Sequence, residues 1–217
     1  MNYVMVMLFS FSIFIAGVIA IIRFKKINKA YYAFLYCIWI ACINELLSFI
    51  LSRKHYNSSI NNNIYILAEA LLILFFFKNI RLFKNSAIIF NIILISYILG
   101  WTFENFVTGS INSINIYFTL FYSFTIVLMS VSMINVLIST STRMILTNPT
   151  FLLCTGFILY FTFKVLVHSF WLYGLNSHPG FLLKVYIIMI YINLLANLIY
   201  ALAVLWMHRK QEYTLQY

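Results

Sequence analysis

The sequence predicts an all-α fold, a polytopic bundle of seven transmembrane helices with the N-terminus outside and the C-terminus cytoplasmic. Three observations carry that expectation. Of 217 residues, 64% are apolar, enough for seven spans of about 20 residues each. Only 8% are charged, against about a quarter in a soluble domain. The apolar residues also fall into seven long runs, separated by short polar stretches.

The runs cover about 3–22, 30–52, 61–78, 86–103, 114–138, 150–173 and 181–207. Each can cross a hydrocarbon core of about 30 Å at 1.5 Å per residue. Many are rich in Ile, Phe and Tyr, which favour strands in water. Lipid offers the backbone no hydrogen bonds, so a single spanning segment must satisfy its own and becomes a helix. The first run reads as an anchor rather than a cleaved leader, because its basic cluster follows it instead of preceding it. Pro149 suits the first turn of helix six, where its missing N–H costs nothing. Pro179, in Asn176-Ser177-His178-Pro179-Gly180, marks the last outer loop. The loops are short, so the chain reads as a single transmembrane domain, residues 1–217, with no soluble domain on either side.

Orientation follows from charge. The net charge of +10 is read as topogenic rather than as a nucleic-acid footprint, because basic residues hold short loops in the cytoplasm. With the N-terminus outside, the cytoplasmic segments carry Arg23, Lys25, Lys26, Lys29, Lys78, Arg81, Lys84, Arg143, Arg209 and Lys210. The outer side carries Arg53, Lys54 and Lys184. Trp101, Trp171 and Trp206 fall near helix ends, as interfacial aromatics do. Arg53, Lys54 and His55 could attract an anionic ligand or headgroup, or form an ordinary solvated loop.

Composition also removes chemistry. There is no aspartate, and the acids are Glu45, Glu69, Glu104 and Glu212. Aspartyl protease pairs and Asp-held magnesium are therefore excluded. Phosphate-binding loops and metalloprotease motifs are missing from the sequence. Cys37, Cys42 and Cys154 lie inside apolar runs and read as small hydrophobes. No cofactor and no metal site is expected. The lipid bilayer is the expected partner, with a protein partner on the cytoplasmic side and no nucleic acid.

The informative residues are the polar ones inside the spans, since an ionisable group there costs roughly 2.5–3.5 kcal/mol. Glu69 lies almost at the centre of helix three. Glu45 in helix two and Lys164 in helix six lie about 6 and 4 Å outward of their centres. His168 follows Lys164 at i+4, on the same face. Asn193, Asn197 and Tyr200 form a stripe on helix seven that extends through Tyr186. Asn44, Ser48 and Ser52 add polarity to helix two, and Ser123, Ser130 and Asn135 to helix five. The simplest arrangement has Glu45 and Glu69 facing Lys164, with His168 above. One ammonium cannot neutralise two carboxylates, so the second would be protonated or shared with His168 or the asparagines. The candidate ligand-binding or proton-relay set is Glu45, Glu69, Lys164, His168, Asn44, Asn193 and Asn197. The competing structural reading makes these groups interhelical glue or an ion-pair network. Glu104 and Asn105, at the end of helix four, are expected to be solvated.

Asn63–Ile73, the stretch Ile111–Asn115, and Asn193 with Asn197 resemble small single-domain seven-helix membrane proteins of bacteria. The chain also looks broadly like the seven-helix sensor modules joined to kinases and cyclases, without their sensory and output domains. The resemblance implies a multi-pass protein of the bacterial cytoplasmic membrane whose output a partner would supply. Four functions stand as expectations. The first is a receptor-like or sensor-like ligand-binding module. The others are a small proton-coupled transporter, a membrane-embedded lipid-modifying enzyme and a structural partner protein. No nucleophile–base–orienter set supports the enzyme. A retinal protein is disfavoured because Lys184 lies in the first turn of helix seven and Lys164 in helix six.

Overall fold

The structure is a computed structural model that describes residues 9–54, 56–84, 86–113, 115–140, 145–172 and 179–207. The expectations for residues 3–8 of the first run therefore fall outside the described residues, as do those for His55, Arg143, Asn176, Ser177, His178, Arg209, Lys210, Glu212 and the Tyr186 side chain. The described residues form seven α-helices and no strand. They are α1 (Ile13–Arg23), α2 (Tyr32–Arg53), α3 (Ser59–Asn79), α4 (Ala87–Phe103), α5 (Ile116–Thr140), α6 (Pro149–Leu172) and α7 (Pro179–Trp206). Six of them, α2 to α7, are long and apolar enough to cross a membrane. Helix α1 is 11 residues long, shorter than the expected first span.

Asparagines start several helices. Asn148 Oδ1 accepts the Thr150 N–H at 2.9 Å, with Pro149 between them at the first helical position. Asn57 Oδ1 accepts the Ser59 N–H at 2.9 Å at the start of α3. Asn28 Oδ1 accepts the Ala30 N–H at 3.0 Å in the 3-10 turn that leads into α2. Each satisfies a donor that the first helical turn would leave unpaired. The end of α3 carries a Schellman pattern, with Leu82 N–H on the Phe77 carbonyl and Arg81 N–H on that of Lys78. Arg81 takes the left-handed position with φ 67°.

Glu104 and Asn105 are buried, contrary to the solvated placement expected of them. The reason is a π-helical turn, Glu104–Thr108, that extends α4. It carries the Glu104 carboxylate onto the start of α5, where Oε1 accepts the Tyr117 N–H at 3.0 Å and Oε2 the Phe118 N–H at 2.5 Å. A carboxylate at a helix N-terminus satisfies free N–H groups and favourably meets the helix dipole. Gly109 closes the turn, since a Cβ there would lie 2.7 Å from the Glu104 carbonyl oxygen. Asn105 Nδ2 donates to the Trp101 carbonyl at 2.8 Å. Glu104→Ala should cost about 2 kcal/mol, because two charge-assisted bonds to buried N–H groups disappear. Thermal unfolding of the purified variant measures it, and Glu104→Gln should recover part of the loss.

Helices α1, α2, α3, α5, α6 and α7 close a ring through their main contacts. In that order each packs on the next, and α7 returns to α1. Helix α4 packs outside the ring, against α3 and α5. Its Ile88, Ile92, Ile95 and Leu99 stay exposed, while Phe90 and Tyr97 turn inward. An apolar outer surface of this kind suits a lipid solvent.

One end of the bundle is basic. Arg23, at the end of α1, donates to the Leu205 carbonyl near the end of α7. Tyr31 and Thr150 hydroxyls meet at 2.9 Å, joining the starts of α2 and α6. The Tyr31 ring also lies 6.2 Å from that of Phe76, near the end of α3. At the opposite end, Asn63 Nδ2 donates to the carbonyls of Ile111 and Ser113 at 2.9 and 2.7 Å. Trp101 Nε1 donates to the Asn63 carbonyl at 2.9 Å, joining α4 to the start of α3. Asn57 Nδ2 donates to the Asn112 carbonyl at 3.1 Å, tying a second loop there. These bonds hold the helix ends in register and leave the middle of the ring to a polar cluster.

Candidate functional site

Glu69 is the middle residue of α3. Lys164 on α6 meets it, with Nζ 3.0 Å from Oε2 and both side chains buried. Tyr122 of α5 bridges the pair, donating to Glu69 Oε2 at 2.6 Å and accepting from Lys164 Nζ at 2.5 Å. Tyr65, one turn before Glu69 on the same face, donates to Oε1 at 2.8 Å. The ammonium also lies 5.1, 5.3 and 5.5 Å from the ring centres of Tyr122, Tyr160 and Phe161. Such ring contacts attract a desolvated cation. The carboxylate thus accepts three hydrogen bonds. The ammonium has two oxygen partners and an aromatic wall.

Removing a charge from water costs several kcal/mol, and geometry of this quality is what offsets it. A pair satisfied in this way is electrically neutral. It is poorly suited to general acid–base work, because the charge of each member is already held by the other. It can instead set the shape and polarity of the space beside it.

That space is a cavity of about 270 Å³ within the ring, bounded by α1, α2, α3, α6 and α7. Its walls include Asn44, Glu45, Glu69, Lys164, His168, Asn193 and Asn197. All seven polar candidates, from four separated helices, therefore border one space. They do not form one bonded network. Asn44 Oδ1 accepts from Asn61 Nδ2 at 2.7 Å. Asn197 Nδ2 donates to Ser12 Oγ at 2.8 Å, pinning α7 to the start of α1. His168 Nδ1 lies 2.8 Å from the Lys164 carbonyl of its own helix. Glu45 is half-buried and forms no ion pair or hydrogen bond among the described residues. The expected pairing of both carboxylates with Lys164 is thus realised for Glu69 alone.

Other candidate polar groups fall elsewhere. Ser123 and Ser130 are buried on α5, and Ser130 bonds the Ile126 carbonyl of its own helix at 2.8 Å. Asn135 is exposed. Cys37, Cys42 and Cys154 are buried free thiols, and Cys37 borders the cavity. Among the described residues no three His, Cys or Glu side chains converge as metal ligands do.

The tyrosines of the site were absent from the expected set. Tyr65 and Tyr160 stand four residues before Glu69 and Lys164, a spacing that places each pair on one helix face. That signal was legible. Tyr122 comes from a third helix, and nothing in its local sequence separates it from the other tyrosines.

The cavity has an aromatic floor. Phe34, Phe76, Phe77, Phe157 and Phe161 are at most 2% exposed. Phe157 touches each of the others at ring-centre distances of 5.7, 5.9, 6.0 and 6.1 Å. All five lie between the ion pair and the basic end, and on α3 the offset from Glu69 to Phe76 is about 11 Å at 1.5 Å per residue. Comparison of the chain with protein-family models, with curated proteins and with solved structures finds no match.

Proposed function

We propose that the protein is a receptor-like, sensor-like module of the cytoplasmic membrane that binds a small ligand in this cavity. The ligand enters from the outside and shifts the packing of α2, α6 and α7, and a cytoplasmic partner reads the shift. The observation that supports this most is the one-sided cavity. The seven polar candidates border it, while a buried aromatic floor lies between it and the basic end. The charge distribution supports the orientation, with the basic loops in the cytoplasm and the N-terminus outside. The resemblance to bacterial seven-helix sensor modules agrees with that use. A ligand acts by binding one packing of the helices better than another, so its effect equals its differential affinity.

Cysteine accessibility tests the reading. In a background with the native cysteines replaced by alanine, Asn62→Cys and Asn193→Cys should react with a membrane-impermeant thiosulfonate added outside intact cells. Ile73→Cys, at the floor, should not. Reaction from neither side would reduce the cavity to packing. Reaction from both sides in turn would favour a proton-coupled transporter, since alternating access exposes one site to two faces. A reporter fused after Tyr217 that was active only outside would overturn the orientation.

A further inference from the structure

Of the charged groups on the cavity wall, Glu45 alone has no ion-pair or hydrogen-bond partner among the described residues. Lys164 is the cationic side chain of its wall, and Glu69, Tyr122 and three rings already surround its ammonium. Glu69 is equally occupied, by Lys164, Tyr65 and Tyr122. Glu45 borders the same space with no hydrogen-bonding or ionic partner among the described residues. Two carboxylates therefore face one ammonium, and the wall carries one uncompensated negative charge when both are ionised.

His168 adds a defined acceptor. A carbonyl oxygen can only accept, so the 2.8 Å contact with the Lys164 carbonyl places the proton on Nδ1. The neutral ring then offers Nε2 as a lone pair. Asn193 also borders the cavity, and its amide has no hydrogen bond among the described residues. A carboxylate, an imidazole nitrogen and an amide oxygen are thus left to accept. An anionic ligand would meet Glu45 and find Lys164 already engaged.

We propose that the cavity binds a small primary alkylammonium ion, with Glu45 as counter-ion and His168 Nε2 and Asn193 Oδ1 accepting its remaining N–H groups. The assignment rests on the ligand-binding reading above and names its ligand class. A primary ammonium brings three donors and no acceptor, which complements these three groups. Charge-assisted bonds to a carboxylate are about twice as strong as neutral ones. The cavity of about 270 Å³ lies just below the roughly 300 Å³ at which drug-sized pockets begin, so the ligand is compact. A free amine and the ethanolamine headgroup of a phospholipid present the same ammonium.

The full chain in phosphatidylcholine nanodiscs tests this by calorimetric titration and thermal unfolding at constant ionic strength. Propylammonium chloride should bind saturably and raise Tm. Sodium propionate should do neither, and tetramethylammonium, which lacks N–H donors, should bind at least tenfold more weakly. Glu45→Gln should weaken propylammonium at least tenfold while leaving Tm without amine close to that of the parent. Asn193→Leu should weaken it less. If Glu45→Gln does not fold, Asn193→Leu and the anion comparison still decide. Stabilisation confined to nanodiscs containing phosphatidylethanolamine would assign the ammonium to the lipid headgroup. Propionate binding, equal binding of tetramethylammonium, or a Glu45→Gln variant that binds propylammonium undiminished would each overturn the proposal. So would the absence of any ammonium effect. If the cavity cysteines label from outside while no ammonium binds, the amine assignment fails and the receptor reading survives. If they do not label, that reading fails first.

Discussion

Lys164→Met destabilises the protein by about 3–5 kcal/mol, because it leaves Glu69 as a buried charge without its counter-ion. The substitution keeps side-chain length and apolar bulk, so cavity formation adds little. Tyr65 and Tyr122 would still donate to Glu69. Two neutral hydroxyls do not replace an ammonium 3.0 Å away. Reversible unfolding in mixed micelles, followed by helix content, gives the difference. The double variant Glu69→Gln/Lys164→Met should recover most of the loss. A neutral amide can accept from the tyrosines without a charge to solvate, and replacing both members of a buried pair is often nearly neutral. Recovery in the double variant would show that the pair acts as a unit, since contacting residues depart from additivity. A single variant as stable as the parent would mean that the pair contributes nothing.

Gly156→Ala is the second large effect, at about 1–3 kcal/mol. Gly156 faces α7 from α6. A Cβ built there would lie 2.6 Å from Tyr200 Cε1 and 3.1 Å from its Cδ1. The ring cannot swing aside freely, because Phe34 and Phe157 hold it at ring-centre distances of 5.5 and 5.6 Å. Small residues at such crossings let helices approach closely in a membrane. The added methyl therefore pushes α7 away from α6, at a side chain that also borders the cavity. Thermal unfolding of the variant measures the cost. Gly156→Leu should be worse, and Gly156→Ala/Tyr200→Leu should be closer to the parent than Gly156→Ala alone. A Gly156→Ala variant with unchanged Tm would contradict this packing.

Much of the fold was legible because the solvent constrains it so tightly. A backbone in lipid has few options, so a run of about 20 apolar residues already implies a helix. The runs 30–52 and 86–103 correspond to Tyr32–Arg53 and Ala87–Phe103, an agreement within two residues at each end. Asn148-Pro149 marked the start of α6 by chemistry that any helix start requires. Glu104 was misplaced for the opposite reason. Its partners are backbone N–H groups 13 and 14 residues later, reached through a π turn that no local pattern announces.

Polarity inside the spans carried the site for a similar reason. A group that costs several kcal/mol to place in lipid has to turn inward, so Glu45, Glu69, Lys164 and His168 could be singled out one by one. Sequence by itself determined seven helical segments, their apolar exterior and the few polar side chains that must avoid lipid. Tertiary structure alone decided which carboxylate Lys164 pairs with, that Tyr122 bridges them, and that Glu45 borders a cavity with no partner among the described residues. The physical reason is range. Hydropathy and helix periodicity act within one segment, whereas the pairing depends on how helices far apart in sequence rotate and pack against each other.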